Sequence, residues 1–140
     1  MSKKLEKINE RFKRLRLEAE EDCKFDKMKI ETQFDNTLAI CKWINYKAEW
    51  SEVYKVIDIE RKEVYKKLYY FYKVESDLKI NTKDELDLFI TSDAQYVDLH
   101  LQITTLKEVV KYIEDIVETL KGKNWEISRW IEHQKFINGR

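Results

Sequence analysis

The sequence predicts an all-α protein, an elongated bundle of long helices. Three observations carry that reading. The 140 residues include no proline and only two glycines, Gly122 and Gly139, where average usage would give roughly seven prolines. Proline breaks helices and marks turns, so its absence favours long helices with few connections. Apolar residues then recur at spacings of three and four over long stretches, the period of one helix face. Finally, 39% of the residues are charged and 43% are hydrophobic, enough apolar surface for a core beneath a very polar exterior.

The first element is marked by Leu5, Ile8, Phe12, Leu15 and Ala19, a heptad-like seam on a basic helix that stops at the acidic patch 18–22. A second pattern follows in Ile30, Phe34, Leu38, Cys41 and Ile44, with Trp43 beside it. A third, over about 50–72, holds Trp50, Val53, Ile57, Val64, Leu68 and Phe71. No proline or glycine separates the second from the third, so one long helix and a bend near 45–49 both fit. Residues 74–83 are polar and lack helical period, the signature of the main loop. Thr82-Lys83-Asp84-Glu85 reads as a capping box ahead of a short helix carrying Leu86, Leu88, Phe89 and Ile90. Ser92-Asp93-Ala94-Gln95 reads as a second capping box. It opens the strongest pattern of the chain: Tyr96, Leu99, Ile103, Leu106, Val110, Ile113, Val117 and Leu120. At 1.5 Å per residue such a helix spans about 40 Å. Gly122 stands where a C-terminal cap glycine belongs, and a last helix over about 125–137 carries Trp125, Trp130 and Phe136. There is no internal repeat and no low-complexity tract.

Composition excludes several classes of function. Net charge is zero, with 27 basic and 27 acidic residues, which rules out a uniformly basic coat but leaves room for a local stripe. Two cysteines, Cys23 and Cys41, form no disulfide framework. The start Met1-Ser2-Lys3-Lys4-Leu5 leads into a charged helix rather than an apolar leader, and no apolar run reaches membrane-spanning length. The expected compartment is the cytoplasm. No glycine-rich phosphate loop and no nucleophile elbow appear. His100 and His133 with Cys23 and Cys41 lack metal-ligand spacing, so neither a metal nor a cofactor is expected. The many carboxylates read as solvated partners of lysines at i,i+4. The chain reads as a binding protein rather than an enzyme.

The most informative segment is 61–73. On a helix at 100° per residue, Val53, Ile57, Val64, Leu68 and Phe71 gather on a core side. Lys55, Lys62, Lys66, Tyr69 and Lys73 gather opposite them, flanked by Tyr65 and Tyr72 and next to Arg61. Lysines neutralise phosphates, and unpaired bases stack on tyrosine rings, so this face suits single-stranded nucleic acid. A solvated lysine face with tyrosines lying over neighbouring helices fits the same residues.

The seam of 96–120 also has two readings, packing within one bundle or assembly with copies of the chain. Val97, Val109 and Ile116 widen its apolar face, as a helix with two neighbours requires. Four tryptophans in so polar a chain also suit an interface, because aromatic residues are favoured anchors there.

Several segments resemble the UvsY family, the recombination mediators of T-even-type bacteriophages. Asp26, Lys29 and Ile30 resemble an Asp-x-x-Lys-Leu stretch, and Lys42-Trp43-Ile44-Asn45 a Lys-Trp-Leu-Asn element. Ile57-Asp58, Arg61-Lys62, Lys66 and Phe71-Tyr72 follow in register with the family's basic helix. Thr91-Ser92-Asp93 opens the long helix as a Ser-Ala-Asp does. Trp125, Ile127, Glu132, Phe136, Gly139 and Arg140 then keep the family's order to the terminus. The resemblance covers about 26–140.

The resemblance implies a mediator that binds single-stranded DNA as a ring-like homo-oligomer of six or seven subunits. It further implies that the protein helps a RecA-like recombinase of the UvsX type displace the phage single-stranded-DNA-binding protein, without hydrolysing ATP. The setting would be homologous recombination and repair in the cytoplasm of the infected bacterial host. One departure stands out: Lys66 matches the lysine of the family's Lys-x-Arg pair, but Leu68 takes the arginine position, and Lys67 offers a charge only from another angle. Residues 1–25 match poorly.

By segment, 1–25 is expected to be a basic helix acting as an arm, 26–75 the region that binds single strands, 76–93 a loop and short helix, and 94–140 the oligomerisation region. The strand-binding set is Lys55, Arg61, Lys62, Tyr65, Lys66, Lys67, Tyr69, Tyr72 and Lys73. The oligomerisation set is Tyr96, Leu99, Ile103, Leu106, Val110, Ile113, Val117, Leu120, Trp125, Trp130 and Phe136. The competing reading is a helical scaffold or adaptor that binds only protein.

Overall fold

The computed structural model describes residues 2–24 and 30–139, with backbone alone for 30–32. Asp26, Lys29, the Ile30 side chain and Arg140, which the resemblance uses, lie outside the described residues. Four α-helices follow one another: α1 (Lys3–Asp22), α2 (Ile30–Tyr70), α3 (Lys83–Ser92) and α4 (Ala94–Ile137). A π-helical turn, Phe71–Glu75, prolongs α2 and closes with the Ser76 N–H donating to the Phe71 carbonyl at 2.8 Å. Among the described residues there is no strand, and no helix is long and apolar enough to cross a membrane.

One continuity answers a question the sequence left open, and a second corrects an expectation. α2 runs unbroken through 45–49, a single helix of 41 residues. α4 runs through Gly122 for 44 residues, so that glycine is not a cap and no separate terminal helix exists. Leu120 and Ile127, both fully buried, hold the backbone helical on either side of Gly122. Burying two such side chains is worth about 3–6 kcal/mol, against about 1 kcal/mol for a glycine in a helix.

The chain forms two compact units, one of Met1–Glu10 with Ser51–Lys107 and the other of Arg11–Trp50 with Glu108–Arg140. In the first unit, Leu5, Ile8, Leu99, Ile103 and Leu106 are buried. Leu68, Leu86 and Ile90 form a cluster there, against which Val64, Tyr65, Tyr72, Ile80 and Tyr96 pack. Thr82 caps α3 as expected: its Oγ1 accepts from the Glu85 N–H at 3.1 Å, and Glu85 Oε2 accepts from the Asn81 N–H at 3.2 Å. The second cap shifts by one residue. α3 continues through Ser92, and Asp93 is the break, its Oδ1 accepting from the Gln95 N–H at 3.0 Å.

In the second unit, α1 supplies Leu15 and Ala19, α2 supplies Trp43 and Trp50, and α4 supplies Val109, Ile113, Val117, Leu120 and Ile127, all buried. Phe12 meets Tyr112 edge-on at 5.5 Å, and the Arg11 guanidinium lies over Trp50 at 4.4 Å. α1 is therefore integrated in the fold and does not stand apart as an arm. Three further expectations change. The stripe of Phe34, Leu38, Cys41 and Ile44 faces solvent, and the buried line on α2 is Asn36, Trp43 and Trp50, seven residues apart. Val109, not Val110, enters the core, because an α-helix of 3.6 residues per turn drifts against a 3.5-residue seam. In the first unit, Phe71 is 45% exposed rather than core.

A polar node joins α1 to α2. Asp22 Oδ2 accepts from Lys42 Nζ at 2.6 Å and from the Trp43 indole N–H at 2.8 Å. Glu18 Oε1 accepts from the Tyr46 hydroxyl at 2.9 Å and pairs with Lys42 at 2.8 Å. Lys123 Nζ of α4 donates to the Asp22 carbonyl at 3.1 Å, satisfying a last-turn carbonyl of α1. Burial pushes the Asp22 carboxyl up, but the hydrogen bonds from Lys42 and Trp43 and the charges of Lys42 and Lys123 outweigh it, leaving it below its ordinary value.

The packing makes two expectations measurable. Gly122 is exposed, and a Cβ there would meet nothing within 4 Å, so Gly122→Ala should raise stability by about 1 kcal/mol in a thermal or urea melt. Asp22→Ala should cost about 2 kcal/mol at neutral pH, the worth of hydrogen bonds to a charged group. A carboxyl held below its ordinary value contributes stability that is present above its unfolded pKa and lost as pH falls through the folded one. The gap between Asp22→Ala and the parent chain should therefore close below the usual carboxylate range, which urea melts across acidic pH would read.

Candidate nucleic-acid interface

The C-terminal half of α2 carries the expected basic stripe within the first unit, and its cations differ in how far their charge is neutralised. Lys55 lies 4.0 Å from Glu52, with both side chains about 70% exposed. Asp58 takes Arg61 at 2.8 Å and Lys62 at 3.5 Å. Arg61 is thereby half-buried and held to its own helix, whereas the Lys62 side chain remains 70% exposed. Lys66 and Lys67 are exposed and have no carboxylate within ion-pair distance among the described residues. Exposed i,i+4 pairs are weak, about 0.3–0.5 kcal/mol, so Lys62 can exchange Asp58 for a phosphate at small cost.

The tyrosines divide in a way the sequence did not show. The Tyr65 hydroxyl donates to Asp87 Oδ1 at 2.9 Å, and its ring meets Tyr96 edge-on at 6.0 Å. The Tyr72 hydroxyl donates to Asp93 Oδ2 at 2.9 Å, and its ring stacks on Phe89 at 5.8 Å. Hydrogen bonding to these carboxylates, with burial, pushes both phenols above their ordinary pKa. Both rings are thus half-buried and tied to neighbouring residues of the fold, which leaves less of each face open than the sequence suggested. Tyr69 is different: it is 38% exposed, and its hydroxyl accepts from Lys73 Nζ at 2.9 Å. Leu68, at the arginine position of the resemblance, is buried with Leu86 and Ile90. A charge is excluded there, and Lys67 lines a cavity of about 580 Å³ with Glu60, Glu63, Val64, Lys66 and Tyr70.

Sequence reasoning missed Lys79 and Lys83. The loop after the π turn and the start of α3 bring both to one cavity with Tyr69 and Lys73. The available signal was a run of lysines at 73, 79 and 83 bracketing a segment read only as a polar connection.

The oligomerisation set also divides. Leu99, Ile103, Leu106, Ile113, Val117 and Leu120 are buried inside the single chain. Their surfaces are not open to a copy, and the seam is an intrachain core. Tyr96 and Val110 are half-buried. Trp125, Trp130 and Phe136 are exposed at 61%, 40% and 81%, with the Arg129 guanidinium 4.7 Å from the Trp125 ring. Among the described residues no cluster of three or more His, Cys, Asp or Glu side chains could hold a metal ion.

Comparison with known proteins bears on the fold and the family. No curated protein sequence matches the chain. Among solved structures, the chain is similar to three crystal structures of the bacteriophage T4 recombination mediator protein UvsY. For lattice type IV the TM-score is 0.80 at 14% identity, covering 89% of this chain and 97% of that one. For lattice type II it is 0.78 at 16%, covering 90% and 96%, and for lattice type I it is 0.76 at 16%, covering 87% and 97%. At such identities the likeness establishes the fold. The profile of the family described as "Recombination, repair and ssDNA binding protein UvsY" matches residues 18–140, and on that match the chain belongs to the UvsY family.

Proposed function

We propose that this chain is a single-stranded-DNA-binding recombination mediator. It acts as a homo-oligomer to help load a RecA-like recombinase onto single strands covered by a single-stranded-DNA-binding protein. The observation that carries this reading is the face of Lys62, Lys66, Tyr69 and Lys73 on α2 and the π turn. Its cations are exposed and weakly paired or unpaired, in a chain of a family described by recombination and single-strand binding. Several lysines on one face neutralise successive phosphates, while the open Tyr69 ring gives a base something to stack on.

One such face binds weakly, so copies must act together. Three exposed apolar lines in the second unit offer the means: Phe34, Leu38, Cys41 and Ile44 on α2, Trp125 with Phe136 on one side of α4, and Trp130 with Ile137 on another. Apolar groups repeated along one helix face mark an interaction surface rather than solvated exterior. Copies joined through these lines present several basic faces to one strand, and each face that binds raises the effective concentration of the next. The strand is held without a deep site in any subunit. A recombinase can then displace the faces one at a time.

Two experiments test this. In a salt series with a labelled single strand and a duplex control, the parent chain should prefer the single strand. Replacing Lys62, Lys66 and Lys73 by alanine should lower the salt slope by about 0.7 for each phosphate no longer neutralised, with helicity and assembly state retained. A folded parent chain that ignores single strands at low salt would sink the proposal and leave the protein-only scaffold. In sedimentation, Leu38→Glu with Trp130→Glu should yield smaller species that keep their helicity. Those species should bind single strands far more weakly than any single lysine variant does. Equal affinity in the smaller species would refute the avidity mechanism.

A further inference from the structure

The cavity beside Tyr69 differs from the rest of the basic face. It measures about 620 Å³, within the range of about 300–1,000 Å³ typical of small-ligand sites. Side chains from α2, the π turn, the loop and α3 converge on it: Tyr69, Lys73, Lys79, Asn81, Thr82 and Lys83. Its lining holds three lysines and no carboxylate. Glu85, in the first turn of α3, is engaged with the Asn81 N–H.

The carboxylates Asp84 and Glu85 of the first turn of α3 offset the helix end, but neither lines the cavity. Lys83 is the first residue of α3, at the positive end of the helix dipole, where a cation is disfavoured and an anion welcome. Thr82 satisfies the Glu85 N–H, leaving the first-turn N–H groups ahead of it to solvent or to a ligand. Lys79 and Lys83 have no ion-pair partner among the described residues, and both are exposed. Three lysines around one cavity, none in an ion pair among the described residues, repel each other, and a bound phosphate relieves that repulsion. The wall also includes an aromatic ring. The Tyr69 hydroxyl accepts from Lys73 Nζ, which lies 5.1 Å from the ring centroid, so ring and cation stand together at the cavity. The π turn contributes as well. It adds one residue to the last turn of the helix, setting the backbone that carries Lys73 toward the loop.

We infer that this cavity is a nucleotide seat. One base of a bound single strand stacks on Tyr69, and the phosphates beside it lie among Lys73, Lys79 and Lys83. The inference rests on the single-strand-binding reading above and deepens it. The strand does not merely lie along α2 but turns one nucleotide per subunit into a defined pocket.

The test uses the full chain with two labelled strands of equal length, oligothymidylate and an abasic strand that keeps the phosphates and lacks the bases. Tyr69→Leu should weaken binding of oligothymidylate about tenfold, the loss of one stacked base, and leave binding of the abasic strand nearly unchanged. Tyr69→Phe, which keeps the ring, should restore most of that loss. Lys79→Ala with Lys83→Ala should weaken binding of both strands alike and lower the salt slope. The side chains changed are exposed or half-exposed, and circular dichroism would check that each variant is folded. If the parent chain binds oligothymidylate tightly and these variants match it, the seat is overturned while single-strand binding stands. If the parent chain binds neither strand, the seat falls together with the proposed function. If thymidine monophosphate alone competes as well per site as the strand, the cavity is a free-nucleotide pocket and the inference is wrong.

Discussion

The buried seam of α4 is the constraint to which the other helices answer. Leu99, Ile103, Leu106, Val109, Ile113, Val117, Leu120 and Ile127 are all buried, so apolar partners must meet this helix in both compact units. Each such side chain is worth about 1.5–3 kcal/mol when removed from water. Against a sum of that size, one helical glycine at position 122 is a small penalty, and α4 does not break there. The same demand explains α1. Its own seam of Leu5, Ile8, Leu15 and Ala19 is buried, and a helix with that face cannot stand in water as an arm.

Apolar seams alone are permissive, because a helix can slide or rotate along another at little cost. Polar groups inside the second unit remove that freedom. Asn36 is buried and donates to the Leu120 carbonyl at 2.8 Å. It lies on the same line of α2 as Trp43 and Trp50. The Trp43 indole N–H can be buried only because Asp22 receives it. A buried polar group without its partner costs about 1–3 kcal/mol, so any other register of α2 would strand Asn36 and Trp43 together.

Several acids of this chain of zero net charge are engaged in holding the fold. Glu18 and Asp22 hold Lys42, Asp87 and Asp93 hold tyrosine hydroxyls, and Glu85 holds the start of α3. Asp93 does two jobs at once, capping α4 through Gln95 and fixing Tyr72. Around the open ring of Tyr69 the cavity is lined by lysines and by no carboxylate. Affinity for phosphate then arises from placement rather than from composition.

The sequence by itself determined the all-helical fold, the capping box at Thr82, the period of the α4 seam and the lysine stripe on α2. Each of these depends on residues within a few turns of one another, where backbone geometry is known before any partner is. Tertiary structure decided what depended on distant neighbours. α2 has two candidate apolar faces, and the one with Trp43 and Trp50 is buried because a carboxylate on α1 receives the indole. Phe34 and Leu38 thereby remain outside. Tyr65 and Tyr72 look like fully open base platforms until Asp87 and Asp93, more than twenty residues further on, tie them to the fold. Lys79 and Lys83 gain meaning only when the loop returns to Tyr69. Periodicity tells which residues share a helix face, but only packing tells what that face meets.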